Sequence, residues 1–169
     1  MKFRLLVTIL LLSRLPTAAG SVEDQPKEAL ARFALVIGKN EPEDLQQAPL
    51  RYADDDAIAM HALLREAGVR SRLLVVPDED TVALRRFHGA TAPTLNAVLH
   101  TATALFEAIA AAKRTGARTE LTFYYSGHGD VIDGEGFVVL EGGRLTRTTL
   151  LEQIVARSPA DINHIIIDW

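Results

Sequence analysis

Two stretches of this chain are apolar without a break long enough to show an exposed face. Phe33 to Ile37, inside RFALVIGKN, is one, and the isoleucines of INHIIIDW, Ile162 to Trp169, form the other. A strand with one wet face alternates apolar and polar residues, so an unbroken run asks for cover on both faces. That is the signature of a parallel sheet with helices above and below. Two more strands are predicted, Ser71 to Val76 (SRLLVV) and Thr119 to Tyr125 (TELTFYY). Gly136 to Leu140 (GFVVL) reads as a shorter strand belonging to a hairpin.

Helical spacing fills the gaps. Ala57, Ile58, Met60, His61, Leu63, Leu64 and Ala67 recur at the helix period, after Asp54, Asp55 and Asp56 in the first turn, where carboxylates suit the helix dipole. Gly68 terminates that helix. Thr94 opens a second, with Leu95, Val98, Leu99, Ala102, Leu105, Phe106 and Ile109 as one stripe, and Gly116 ends it. Thr148 to Arg157 reads as a third. Residues 41–51 and 77–93 are polar and proline-bearing, hence loops. Strand alternating with helix in this order predicts an α/β fold, a mostly parallel open sheet with helices on both faces.

Composition narrows the function. A chain of 169 residues, 48% hydrophobic and 24% charged, fits one globular domain, not a disordered, collagen-like or multi-span membrane protein. Its net charge of −4 argues against a dedicated nucleic-acid binder. It contains no cysteine, so within these residues there is no disulfide, thiolate metal site or cysteine nucleophile. No His/Asp/Glu cluster has ligand spacing, and no metal or cofactor is expected.

Residues 1–20 (MKFRLLVTILLLSRLPTAAG) have the layout of a secretory signal peptide. Lys2 and Arg4 precede an apolar run broken only by Thr8, and small residues follow at Thr17 to Gly20. The run is too short to span a bilayer, which takes about 20 residues. The expectation is a secreted or periplasmic protein; the alternative is an uncleaved N-terminal helix. Residues 21–31 read as a flexible lead-in.

Open α/β sheets bind ligands beyond the carboxyl ends of their strands. Three predicted strand ends carry glycine or polar residues: Gly38-Lys39-Asn40, Ser126-Gly127-His128-Gly129 and Asp168. His128 stands between two glycines just past a strand, a position suited to a general base near neutral pH. The Gly129 N–H is placed to meet a developing oxyanion. Ser126 is two residues away and is read as bracing the turn; a serine hydrolase using Ser126 and His128 is the minor alternative. His61, His88, His100 and His164 have no comparable setting.

FALVIGKN, LRYADDDA, LTFYYSGHGD and HIIIDW together resemble the caspase-like cysteine peptidases, above all the bacterial, metacaspase-type branch. The match runs over residues 33–169, the part corresponding to the family's large subunit. It implies a three-layer sandwich, occupying residues 32–169 here, without the family's C-terminal strands. Tyr52, Ala53, Asp56 and Ala57 match the Y-A-x-x-D-A helix start. His128 matches the catalytic histidine and Gly129 the oxyanion donor. The family's last strand ends in D-x-C; Asp168 matches the aspartate and Trp169 the middle residue, so the nucleophile is expected just beyond Trp169.

A stop codon or frameshift, a fragment of a longer precursor, an inactive pseudoenzyme or a selenocysteine codon read as stop would each account for that arrangement. The implied function is hydrolysis of peptide bonds in a peptide or protein substrate. Asp56 matches the pocket that selects Arg or Lys in metacaspase relatives; Arg51 is the weaker candidate for the aspartate preference of caspases proper. The alternative is a caspase-like module that binds peptides or partners without cleaving them. The bare edge of INHIII is expected to invite self-association.

Overall fold

The computed structural model describes residues 29–43, 47–85 and 91–169. The expected signal peptide, most of the lead-in and His88 lie outside the described residues.

Four parallel strands make the main sheet. They are β1 (Leu30–Lys39), β2 (Arg70–Val75), β3 (Arg118–Gly127) and, last in the chain, Ile162–Asp168. Between the last two lie three short strands, β4 (Gly129–Ile132), β5 (Glu135–Leu140) and β6 (Gly143–Thr146), which form an antiparallel sheet of their own. The final strand is therefore β7, and the main sheet has the order β2-β1-β3-β7. This is the α/β architecture that the sequence pattern and the resemblance imply.

The two faces of the sheet are covered by different helices. Phe33, Leu35 and Ile37 of β1 share a face with Leu121, Phe123 and Tyr125 of β3. On that face lies α3 (Leu95–Arg114), with Val98, Ala102, Leu105 and Ile109 buried against it in the larger core cluster. Thr94 caps α3, its side chain accepting from the Ala97 N–H at 3.1 Å. By length and apolarity α3 could cross a bilayer, but its buried stripe packs on the sheet. The opposite face carries Ala34, Val36 and Tyr124, packed under α1 (Ala53–Glu66) through Ala57. A β-carbon on Gly38 would stand 2.6 Å from the Ala53 carbonyl oxygen, so glycine lets α1 close onto the end of β1.

Three local departures from the sequence reading have physical causes. A short helix, α2 (Glu79–Arg85), forms inside the segment read as irregular. Asp78 nucleates it, a carboxylate oxygen accepting from the Thr81 N–H at 2.8 Å. The expected hairpin is a three-stranded meander, because β4 and β6 are four residues each, too short to show periodicity. The helix expected over 148–157 is one α-helical turn, α4 (Arg147–Thr149), running into a π-helical segment at Leu150–Val155. That segment still buries Leu150 and Ile154.

Candidate active site

Strand register assembles the three polar strand ends. Gly38 of β1 is aligned with Ser126 of β3, and Ser126 with Asp168 of β7. Lys39 is aligned with Gly127, one step further on. His128 and Trp169 follow directly past the ends of β3 and β7, on neighbouring strands running the same way.

The turn that carries His128 is pinned from below. The Tyr125 hydroxyl lies 2.8 and 2.7 Å from the carbonyl oxygens of His128 and Val139, which share its single donor proton. Burial pushes the Tyr125 phenol well above its ordinary pKa, so it remains a donor throughout the working pH range. The Val139 N–H also donates to the His128 carbonyl, at 2.9 Å. Gly127 lies against the Tyr125 hydroxyl and, 2.8 Å from where its β-carbon would be, the Lys39 carbonyl oxygen; no side chain fits there.

The His128 ring is half-buried and lines a cavity of about 380 Å³ together with Gly129, Phe137 and Arg144. Its Nε2 atom is shielded from solvent and has no hydrogen-bond partner among the described residues. An unpaired ring nitrogen is costly unless something pairs with it in use. Arg144 stacks 4.1 Å above the Phe137 ring and pairs closely with Glu43, bounding the cavity on its far side.

Gly129 opens β4 opposite Val138. Because Val139 bonds back to His128, the alternation of an antiparallel ladder turns the Gly129 N–H away from β5. The Trp169 ring occupies the place where a Gly129 β-carbon would stand. Trp169 also lines a second cleft of about 220 Å³, together with Arg51, Tyr52, Asp56, Ser126 and Asp168.

That second cleft is acidic. Burial, and after it the Asp56 and Asp168 carboxylates, push the Tyr124 phenol above its ordinary pKa, while a hydrogen bond with Ser126 pulls the other way. Both carboxylates therefore act on one point at the sheet end. Ser126 is buried, faces this cleft rather than the His128 cavity, and makes no hydrogen bond to His128 among the described residues.

Three residues that the sequence pattern marked only as a polar strand end or a helix start are structural anchors. Asn40, buried past the end of β1, accepts from the Ala53 N–H at 2.8 Å and donates to Asp54 at 2.7 Å and to Asp78 at 3.3 Å. Asp54 is fully buried and also accepts from the backbone of Asp55 and Asp78. It was read only as a first-turn carboxylate, yet it ties α1 to the loop after β2. Lys39, also buried, pairs with Glu141 at 2.9 Å and Glu41 at 3.3 Å, tying β1 to the β5–β6 turn. A pattern that places polar residues at a strand end does not say which of them are spent on structure.

The remaining histidines stand elsewhere. His61 shares a 2.8 Å hydrogen bond with the Ser71 hydroxyl, and burial, followed by Arg65, lowers its pKa. His100 is exposed on α3, and His164 lies 4.0 Å from Glu120.

A parallel sheet with helices on both faces, and a half-buried histidine at its carboxyl edge beside an acidic cleft, define an α/β domain with a candidate site at its sheet end. The chain belongs to the caspase domain family of C14 peptidases, whose family model matches residues 31–165. A search of curated proteins gave no match. The membership makes a cysteine-peptidase-like function the coarse assignment, with peptides or proteins as substrates.

Proposed function

We propose that this domain is a metacaspase-type endopeptidase centre that cleaves after Arg or Lys, using a thiol or selenol supplied from the position after Trp169. The observation that carries the proposal is the unpartnered Nε2 of His128, one residue past β3 and beside the strand end that would deliver the nucleophile. His128 takes the proton of the nucleophile. The resulting anion attacks the scissile carbonyl carbon, and the Gly129 N–H holds the oxygen as it becomes negative. His128 then passes its proton to the departing amine, and water hydrolyses the acyl-enzyme.

The acidic cleft supports the basic preference. Asp56 and Asp168 give it two carboxylates against the single guanidinium of Arg51. A net negative cleft favours a substrate guanidinium or ammonium, and a carboxylate can grip a guanidinium through two parallel hydrogen bonds. An aspartate substrate would meet two like charges for one unlike. The N-terminal twenty residues support export to the secreted or periplasmic space, where such an enzyme would act on proteins it encounters there.

The absence of cysteine from the 169 residues favours a second reading, in which the same cleft binds basic peptides without cleaving them. One experiment separates the two. The chain as given, and a version continued after Trp169 with a cysteine, are assayed on peptides ending in Arg, Lys or Asp amides. The first reading expects turnover of Arg and Lys substrates by the continued chain alone, abolished by His128→Ala. Binding without turnover in both supports the second. Turnover by the continued chain that survives His128→Ala overturns the proposed mechanism.

A further inference from the structure

A cleft of about 520 Å³ opens on the β2 side of the main sheet, where the end of α1, the start of β2 and the middle of α3 meet. Every residue lining it lies between Phe33 and Ala108, in elements that precede β3. Its floor is apolar, with Phe33 and Leu105 buried there. Its rim is cationic. Arg65, Arg70 and Arg72 are exposed and line it, and no Asp or Glu does, in a chain whose net charge is −4.

No side chain of these three arginines makes an ion pair or a hydrogen bond among the described residues. Arg65 stands in the last turn of α1, where the helix dipole answers part of its charge. Arg70 and Arg72 have no such partner. They are aligned with Phe33 and Leu35 of β1, so both project from the α3 face, about 6.6 Å apart along the strand. Arg70 is steadied over the Phe33 ring, 5.4 Å from its centroid. The Ser71 hydroxyl between them is engaged by His61 at 2.8 Å, which leaves recognition in the cleft to the guanidinium groups.

We infer that this cleft is a docking site for an extended acidic segment of another protein, with Asp or Glu at alternate positions. An extended chain repeats its side chains on one face every second residue, which is the spacing of Arg70 and Arg72. Two carboxylates of such a segment meet two guanidinium groups at once, each held through two parallel N–H···O bonds. Ala104 and Ala108, one turn apart on the α3 wall, leave room for the segment beside them. A free phosphate would leave the apolar floor bare. A nucleic acid would meet only three cations on a chain of net negative charge, too few for much counterion release. The cleft lies beside the first residues of β2, whereas the His128 turn follows the last residue of β3. A protein held here by its acidic segment is kept near the sheet end, at a raised effective concentration.

The test uses the full chain and needs no turnover. A fluorescein-labelled peptide alternating Asp and Thr is titrated at low salt, beside an isomer of the same composition whose Asp residues are adjacent. The alternating peptide is expected to bind about fivefold more tightly. Arg70→Ser and Arg72→Ser are each expected to weaken it about threefold, and the two together about tenfold, with circular dichroism unchanged. Arg70→Glu combined with Arg72→Glu is expected to reverse the preference, so that a peptide alternating Lys and Thr binds instead. Arg70 packs on Phe33, so Arg72→Ser keeps the test decisive if changes at Arg70 disturb the fold. Equal binding of the two isomers, or binding that survives the double serine change, would overturn the proposal. So would displacement of the peptide by an oligonucleotide or by anionic lipid vesicles at lower charge concentration. Absence of binding would overturn it too, leaving the arginines as guards of an edge strand. Peptidase activity is not read out, so failure here leaves the proposed function untouched.

Discussion

The Trp169 indole lies against the α-carbon of Gly129, in the space a side chain at that position would need. The contact joins the end of β7 to the start of β4, and so holds the two strand ends of the candidate site together. Gly129→Ala is expected to displace the ring. The added β-carbon would also stand 3.0 Å from the Phe137 carbonyl oxygen, so both sides must give. A destabilisation of about 1–3 kcal/mol is expected by denaturant unfolding. Trp169 is the only tryptophan, so its emission reports the displacement without a label. Pairing the change with Trp169→Ala should recover part of the loss.

Asp54 is a buried carboxylate whose role is to receive hydrogen bonds from three segments at once. Asp54→Ala leaves the Asn40 amide and two backbone N–H groups without that acceptor. The expected cost is about 2–4 kcal/mol, measured as a lowered urea midpoint. Asn40→Asp should also be harmful, since it sets a third carboxylate beside Asp54 and Asp78.

Removing the Tyr125 hydroxyl takes away the one donor proton shared by the His128 carbonyl and the Val139 carbonyl of β5. Tyr125→Phe is expected to cost about 1–2 kcal/mol. Amide hydrogen exchange should show the loss concentrated around residues 127–130, rather than spread through the sheet.

Acid should act on the link between α3, β3 and the approach to β7. Lys113, at 2.6 Å, and then the backbone and hydroxyl of Thr119 hold the Asp161 carboxyl down at about 2, against an ordinary 3.8. A depressed folded-state pKa means stability that is complete above the ordinary value and drains away as pH falls toward the folded one. The chain should therefore lose stability between about pH 4 and 2 more steeply than an Asp161→Asn variant. Denaturant midpoints across that range check it.

The layered fold was legible because Phe33 to Ile37 and the α3 stripe are long, strongly patterned segments whose burial demands leave few arrangements. The adjacency of the strand ends was legible for the same reason, since parallel strands in a covered sheet bring their carboxyl ends to one edge. What the pattern could not show was the use made of individual polar residues there. Asn40, Lys39 and Asp54 look like solvent-facing punctuation in one dimension. Only the return of α1 and of the β5–β6 turn makes them internal partners. The π-helical segment was hidden too, because Leu150 and Ile154 repeat at a spacing shared by both helix types. His128 stood out because two glycines flank it, and glycine there is required by the close approach of Lys39 and Trp169.

The alignment of Gly38, Ser126 and Asp168 across three adjacent strands has a consequence for how this edge can change. These three residues are spaced by the pitch between strands, about 4.8 Å, and not by the length of any connection. Insertions in the linking segments can reshape the mouth around them while leaving that spacing intact. Sliding β7 by a single residue would be ruinous, since it would turn the Asp168 carboxylate to the opposite side of the ribbon.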